Sequence, residues 1–397
     1  MLQASVLPLG QQEVLTDCAY DYYGLRLAVS GMDSKIKLLR MNETTGEWSM
    51  EIEWKAHDAP ITRVSWAHPE HGSLVASSSF DRTVKIWQEN NRNASAVQSL
   101  KWVERAVLTE AKGSVRSIEF APSYFGLKLA TLSTDSFLRI YECLEIYNAS
   151  SWQLVEEIDI VSFGGSPTPL ASVSTPTAVA MNIEEGSPPQ QGIRGPGTPT
   201  FNGQARPSGG SREADSGWCL SWSKDKWWGE ILAIAAGPSS TLKLVAFPPA
   251  PQRPILVAKL IPEENRGVVP LSITCVSWAP MAGRSYHLIA TGSRDSFVRI
   301  WKLKPTNNFT QTFSGDEYKN QWTATCVGEF EDHKSAVGRL EWNVTGTVLS
   351  SAGDDGQVRF WKALSNVWRR VGSFNTHHEE DHSNTGTPRE DDSMMIG

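Results

Sequence analysis

At five places along the chain an aspartate precedes an aromatic or bulky apolar residue by six positions: Asp33 and Leu39, Asp81 and Trp87, Asp135 and Tyr141, Asp295 and Trp301, Asp355 and Trp361. Another aromatic stands 13 to 17 residues upstream of each aspartate: Tyr20, Trp66, Phe120, Trp278 and Trp342. A sixth, degraded copy runs from Trp218 and Trp222 to Phe247, with Ser239 in the aspartate's place. This repeat restricts the fold more than any other property of the chain. Each copy is too small to bury its own apolar faces and must stack against its neighbours.

The last copy, residues 333–374, contains a whole unit: His333, a strand ending at Trp342, a turn at Gly346, a strand around Val348, Asp354 and Asp355, a strand ending at Trp361, and a fourth strand at 368–374. That is the pattern of a four-stranded WD40 blade, and six copies predict an all-β, six-bladed β-propeller over residues 1–374. The aspartate is expected to accept backbone N–H bonds in its turn and one bond from a histidine ahead of the first strand. The aromatic six residues on packs against neighbouring strands. The fullest sets are His57, Asp81 and Trp87, then His333, Asp355 and Trp361, with Asp135, Asp295 and Trp301 in shorter ones. A histidine beside an aspartate also suits acid–base chemistry. The pattern recurs in several copies, however, whereas a catalytic site is normally single, so a structural role and no enzymatic activity are expected. No catalytic, cofactor-binding or metal-binding residue is assigned.

The formal charge of −7 and the lack of a basic run argue against nucleic acid as a direct partner. The five cysteines are odd in number and show no C-x-x-C spacing, which indicates neither a disulfide framework nor a zinc site. Cys18, Cys219 and Cys275 fall in first strands, where a small buried residue is expected. The N-terminal residues lack a positive region followed by a long apolar core, so no signal peptide is expected. No apolar run is long enough to predict a membrane span.

Blade one is expected near 15–20, 26–30, 35–40 and 48–54, blade two at 61–66, 74–79, 84–88 and 102–108, and blade three at 115–120, 127–131, 138–142 and 152–159. Blade four is expected at 218–222, 231–236, 241–247 and 255–261, and blade five at 273–278, 288–292, 297–303 and 324–330. Between 162 and 216 the pattern stops in a segment rich in Gly, Pro, Ser and Thr, expected to be a disordered insert between blades three and four. Ser166, Thr168, Thr175, Ser187 and Thr198 each precede a proline and are candidate phosphorylation sites, or simply the composition of such a segment. The tail 375–397 is polar and acidic, and its His377, His378 and His382 are expected to be no metal site. Trp227 and Trp228 lie in a turn of blade four, available either to a partner or to the blade itself.

Blade six carries its own fourth strand and blade one its own four, so no strand is left over to latch the ring. An open ring leaves exposed strand edges, a hazard that a strand-donating partner removes. The expected partner contacts are Ser5, Val6 and Leu7 ahead of blade one, and Trp368 and Val371 on blade six.

Three stretches carry a family resemblance: the run from Trp66-Ala-His-Pro-Glu to Trp87, the run from Phe120-Ala-Pro-Ser-Tyr-Phe-Gly, and the run Trp342-Asn-Val-Thr-Gly-Thr-Val-Leu-Ser-Ser-Ala-Gly-Asp-Asp-Gly. Together they resemble the Seh-type nucleoporins, close relatives of the Sec-thirteen vesicle-coat propellers. The resemblance implies an open six-bladed propeller into which an α-solenoid nucleoporin inserts a seventh blade. It implies a scaffold role in the outer-ring Y complex of the nuclear pore at the nuclear envelope, in protein and mRNA transport, alongside other Y-complex subunits. It also implies a place in the SEA (GATOR-type) nutrient-signalling complex at the vacuolar or lysosomal periphery. No catalytic residues come with the family. The alternatives are a vesicle-coat subunit and a peptide-reading WD40 adaptor. The long insert and the missing blade-four aspartate depart from the family pattern.

Overall fold

The second strand of each of the first five blades centres on a fully buried alanine: Ala28, Ala76, Ala130, Ala233 and Ala290. A methyl group there lets one sheet approach the next closely, and the larger apolar residues on either side then interdigitate. The computed structural model describes residues 7, 14–90, 102–145, 148–164, 216–249, 251–263, 269–305, 322–365 and 367–375. The insert between 165 and 215, the tail from 376, and Ser5 and Val6 lie outside the described residues.

Blade one comprises β1 (Leu15–Tyr20), β2 (Arg26–Gly31), β3 (Lys35–Met41) and β4 (Trp48–Lys55); blade two comprises β5 (Ile61–Trp66), β6 (Leu74–Ser79), β7 (Val84–Glu89) and β8 (Trp102–Leu108). Blade three is β9 (Val115–Phe120), β10 (Lys128–Ser133), β11 (Phe137–Cys143) and β12 (Trp152–Asp159). Blade four is β13 (Gly217–Trp222), β14 (Glu230–Gly237), β15 (Leu242–Phe247) and β16 (Ile255–Leu260). Blade five is β17 (Ile273–Trp278), β18 (His287–Ser293), β19 (Val298–Pro305) and β20 (Trp322–Phe330), and blade six is β21 (Val337–Trp342), β22 (Val348–Gly353), β23 (Gln357–Leu364) and β24 (Val367–Asn375). Each set forms one four-stranded sheet in sequence order. The fold is the all-β, six-bladed WD40 propeller class that the repeat predicts.

Register repeats as faithfully as sequence. In every blade the third and fourth strands slip by one residue at the third-strand residue just before the repeat's large apolar position, as between Leu38 and Leu39, Ile86 and Trp87, or Phe360 and Trp361. Such a bulge re-aims the side chain and tightens the local twist of the sheet.

The chain divides into two compact units: Met1–Trp218 with Ala236–Ser239, and Cys219–Ala235 with Ser240–Gly397. In the first, blades one and two share a core of Ile36, Leu38, Ile61, Val75 and Trp87, enlarged by the stacked pair Trp54 and Trp102. Blades two and three share Leu74, Ile86, Ile118 and Leu129. In the second, Leu242, Leu244, Trp278 and Ile289 join blades four and five, while Val298, Ile300, Leu349 and Trp361 join blades five and six. Indole N–H groups tie neighbouring first strands: Trp66 donates to the Ala19 carbonyl at 2.9 Å, and Trp342 to the Ser277 carbonyl at 3.0 Å.

Candidate functional site

The residue after each repeat aspartate sits in the left-handed region: Ser34 (φ 63°), Arg82 (70°), Ser136 (75°), Ser296 (68°) and Gly356 (67°). A non-glycine residue in that conformation is strained by roughly 1–3 kcal/mol, and the aspartate offsets the strain. In every copy its Oδ1 accepts the N–H two residues on, from Lys35 (3.1 Å), Thr83 (2.9 Å), Phe137 (3.1 Å), Phe297 (3.0 Å) and Gln357 (3.1 Å). The aspartate is therefore fixed by a turn that no other residue type would hold as well.

In blades two and six the turn is clasped to the core. His57 Nδ1 lies 2.8 Å from the Asp81 carboxylate and its Nε2 lies 2.8 Å from Ser77 Oγ, which also accepts the Trp87 indole N–H at 3.0 Å. Because the carboxylate can only accept and the indole can only donate, a neutral His57 gives the chain of bonds one direction: Trp87 to Ser77, Ser77 to His57, His57 to Asp81. Blade six brings His333, Asp355, Ser351 and Trp361 together at 3.1, 2.8 and 2.9 Å, with an Arg359 N–H also directed at His333 Nδ1. Gly353 makes room for it, since a Cβ there would meet His333 Nδ1 at 2.6 Å. The serine is the link that sequence reasoning missed.

A second missed member is basic. Four residues past each aspartate, and past Ser239 in the degraded copy, stands Lys37, Lys85, Arg139, Lys243, Arg299 or Arg359. In blades three and five, where no histidine precedes, the arginine takes over: Arg139 binds Asp135 at 2.9 Å and Glu157 at 2.8 Å, and Arg299 binds Asp295 at 3.0 Å and Glu329 at 2.8 Å. In blade six Arg359 joins Asp355 at 2.8 Å beside the histidine, and in blade two Lys85 turns instead to Glu104 at 2.9 Å. The constant four-residue offset could have revealed this from the sequence.

Burial alone would raise these carboxyls, but the bonds they accept outweigh it. His57 and Thr83 hold Asp81 well below the usual carboxylate range, as do His333, Lys334 and Arg359 for Asp355, and Arg139 lowers Asp135. Burial lowers His333, reinforced by the Arg359 charge. Each polar group is thus spent on a neighbour and aimed into the blade, which suits bracing rather than proton transfer. Among the described residues, no three His, Cys, Asp or Glu side chains are grouped to hold a metal ion, and no helix is long and apolar enough to cross a membrane.

The expected partner contacts distribute unevenly. Leu7 packs on Leu27, Val29 and Leu39 of blade one together with Trp48. Trp368, expected at an outer edge, is only 8% exposed and lies in the core shared by blades five and six, its ring 5.6 Å from that of Trp342. The three-residue offset along β24 accounts for the difference: alternation puts Trp368 and Val371 on opposite faces, and Val371, at the slip between Arg370 and Gly372, is 49% exposed. Leu364, Val367 and Phe374 are exposed beside Val371. Cys219 and Cys275 are buried as expected, whereas Cys18 is exposed. It lies on the opposite face of β1 from the buried Asp17, whose carboxylate accepts the Val64 N–H of blade two at 2.9 Å. The tryptophan pair splits: Trp227 is 88% exposed, and Trp228 folds back to 5.8 Å from His287 and 5.0 Å from Trp322.

The WD domain, G-beta repeat model matches residues 48–88, 269–302 and 324–362. The first and third matches begin on the fourth strand of one blade and run through the third strand of the next. Nucleoporin SEH1 of Saccharomyces cerevisiae is 30% identical over 382 residues, covering 89% of this chain and 94% of the relative. Nucleoporin seh1 of Schizosaccharomyces pombe is 31% identical over 383 residues, covering 91% and 93%, and nucleoporin SEH1 of Homo sapiens is 30% identical over 380 residues, covering 94% and 88%. With relatives 30–31% identical over 89–94% of its length, the chain belongs to the SEH1 nucleoporin family.

Proposed function

We propose that this chain is a non-enzymatic scaffold propeller of the nuclear pore outer-ring complex, located at the nuclear envelope and serving transport through the pore. The observation that carries this reading is the near full-length similarity to nucleoporins from yeasts and vertebrates. The proposed partner is an α-solenoid nucleoporin that adds strands to the edges of blades one and six. What supports that is apolar surface on both blades: Leu15, Tyr20 and Met50 on blade one, and Leu364, Val367, Val371 and Phe374 on blade six. A strand laid on such surface would gain main-chain hydrogen bonds and bury side chains of both partners. Leu7 would take part as a piece of blade one, and Ser5 and Val6 would flank it. A role in a SEA (GATOR-type) nutrient-signalling complex, at the vacuolar periphery, follows from the same family resemblance.

Affinity purification of the chain from native extract, with identification of the co-purifying proteins, tests this. Stoichiometric recovery of a solenoid nucleoporin, lost in a Val371→Glu/Phe374→Glu variant that still folds, is the expected result. Recovery of the wild-type chain as a lone monomer would overturn it, and recovery with vesicle-coat subunits would replace it with the coat reading.

A further inference from the structure

The loops of blades one and two enclose a cavity of about 440 Å³, separate from the blade edges. Its walls are the β1–β2 turn with Asp21, Tyr22 and Tyr23, the end of β3 with Arg40 and Glu43 beyond it, and the Pro69–Ser73 turn of blade two, with Trp66 between them. Tyr22 and Tyr23 are each 66% exposed. They are nonetheless ordered by packing: their rings meet edge to face at 5.3 Å, and Tyr22 meets the His68 ring at 4.6 Å. Exposed aromatic rings held in place at a cavity are characteristic of recognition surfaces.

The charges decide what the cavity recognises. Arg26 is engaged by Glu89 at 2.7 Å and Glu51 at 3.4 Å, and Arg40 by the same Glu51 at 3.5 Å. With Asp21 and Glu43, the lining holds three carboxylates, Asp21, Glu43 and Glu89, against the two guanidinium groups of Arg26 and Arg40, and Glu51 stands behind both arginines. Asp21 is held in place by the N–H groups of Leu25 and Arg26 at 2.9 and 3.1 Å. A net negative, aromatic-walled cavity attracts a cation, and tyrosine faces add a cation–π term. A guanidinium suits it better than an ammonium. It is planar, stacks on a ring, sheds water more easily and meets a carboxylate with a fork of donors.

We propose that this cavity is a docking site for an arginine side chain presented by an extended segment of a partner polypeptide. The site is independent of the strand-pairing edges, so it can hold or fail whether or not the nuclear pore assignment holds.

The test uses the full chain at physiological salt, with two fluorescein-labelled probes, four Gly-Ser-Arg repeats and four Gly-Ser-Lys repeats, read by fluorescence anisotropy. The arginine probe is expected to bind about fivefold more tightly than the lysine probe. Tyr22→Ala/Tyr23→Ala is expected to weaken it about tenfold and Glu43→Gln about threefold, each with unchanged circular dichroism. Glu341→Gln, on an exposed glutamate of blade six, is expected to leave it unchanged. Equal binding of the two probes, a loss under twofold in the tyrosine variant, a matching loss in Glu341→Gln, or no binding of the arginine probe would each overturn the proposal.

Discussion

Replacing Asp295 with alanine isolates the contribution of the turn aspartate where it is most buried. The Asp295 side chain is 1% exposed and that of Arg299 5%, and the pair is joined at 3.0 Å. The substitution leaves a buried guanidinium with one carboxylate, Glu329, and removes the acceptor of the Phe297 N–H and the Ser293 hydroxyl. Breaking a buried ion pair from one side costs about 3–5 kcal/mol. Glu329 still neutralises part of the charge, which places the loss near the lower end, about 3 kcal/mol. The same change at Asp33 has far less to lose, because that side chain is 28% exposed and Lys37 stands 3.7 Å away. About 0.5–1 kcal/mol is expected there. With about 1–2 °C of midpoint per kcal/mol for a protein of this size, Asp295→Ala should lower the melting midpoint by about 3–6 °C and Asp33→Ala by about 0.5–2 °C. Differential scanning calorimetry of the two variants and of Asp295→Ala/Arg299→Leu measures this. The double variant should recover part of the loss, because it no longer buries an under-compensated charge. Equal shifts for Asp295→Ala and Asp33→Ala, or a double variant no more stable than Asp295→Ala, would refute the reasoning.

Burial among Trp228, Trp278 and Trp322 pushes the His287 imidazole down to about 4. Because its folded value lies below the ordinary one near 6.5, its contribution is complete above pH 6.5 and is lost as pH falls toward 4. Melting midpoints measured across that window should fall less steeply for His287→Leu than for the wild type. Trp368→Ala should cost about 3–5 kcal/mol, since it empties the core between blades five and six, whereas Trp227→Ala should stay within about 0.5 kcal/mol; urea titrations of both check the contrast. Ser351→Ala removes the hydroxyl shared by His333 and Trp361, leaving the buried indole without an acceptor, and should cost about 1–3 kcal/mol by the same assay, while Ser350→Ala, on the more exposed face, should cost about 1 kcal/mol or less.

Most of the architecture was legible in the chain itself. The six-residue offset from Asp81 to Trp87 and from Asp355 to Trp361 marks both the turn and the third strand, and the strands β5, β6, β8, β9, β12 and β17 begin and end where the pattern puts them. The reason is local: an aspartate turn with a left-handed residue, flanked by period-two strands, satisfies its own backbone. The clasping histidines were legible for the same reason. The arginines of blades three, five and six were legible in their constant offset of four residues from the aspartate, but nothing in the pattern singled out the Ser77 and Ser351 hydroxyls that complete the clasp. Strand residues at those positions look interchangeable until the sheet pairs them.

The sequence by itself determined the repeat, the number of blades and the residues that build each turn, because these depend on contacts within about 25 residues of chain. Tertiary structure alone decided which way individual side chains face. Packing against blade five puts Trp368 of β24 inside, which leaves Val371, three residues on, outside, and β1 turns Asp17 toward blade two and Cys18 toward solvent. Packing against blade five draws in Trp228 and leaves Trp227 exposed. The cavity beside Tyr22 and Tyr23 likewise exists only where two blades meet. Facing in a strand alternates with every residue, so a single bulge or a neighbouring sheet can reverse it, and neither is written in the local pattern.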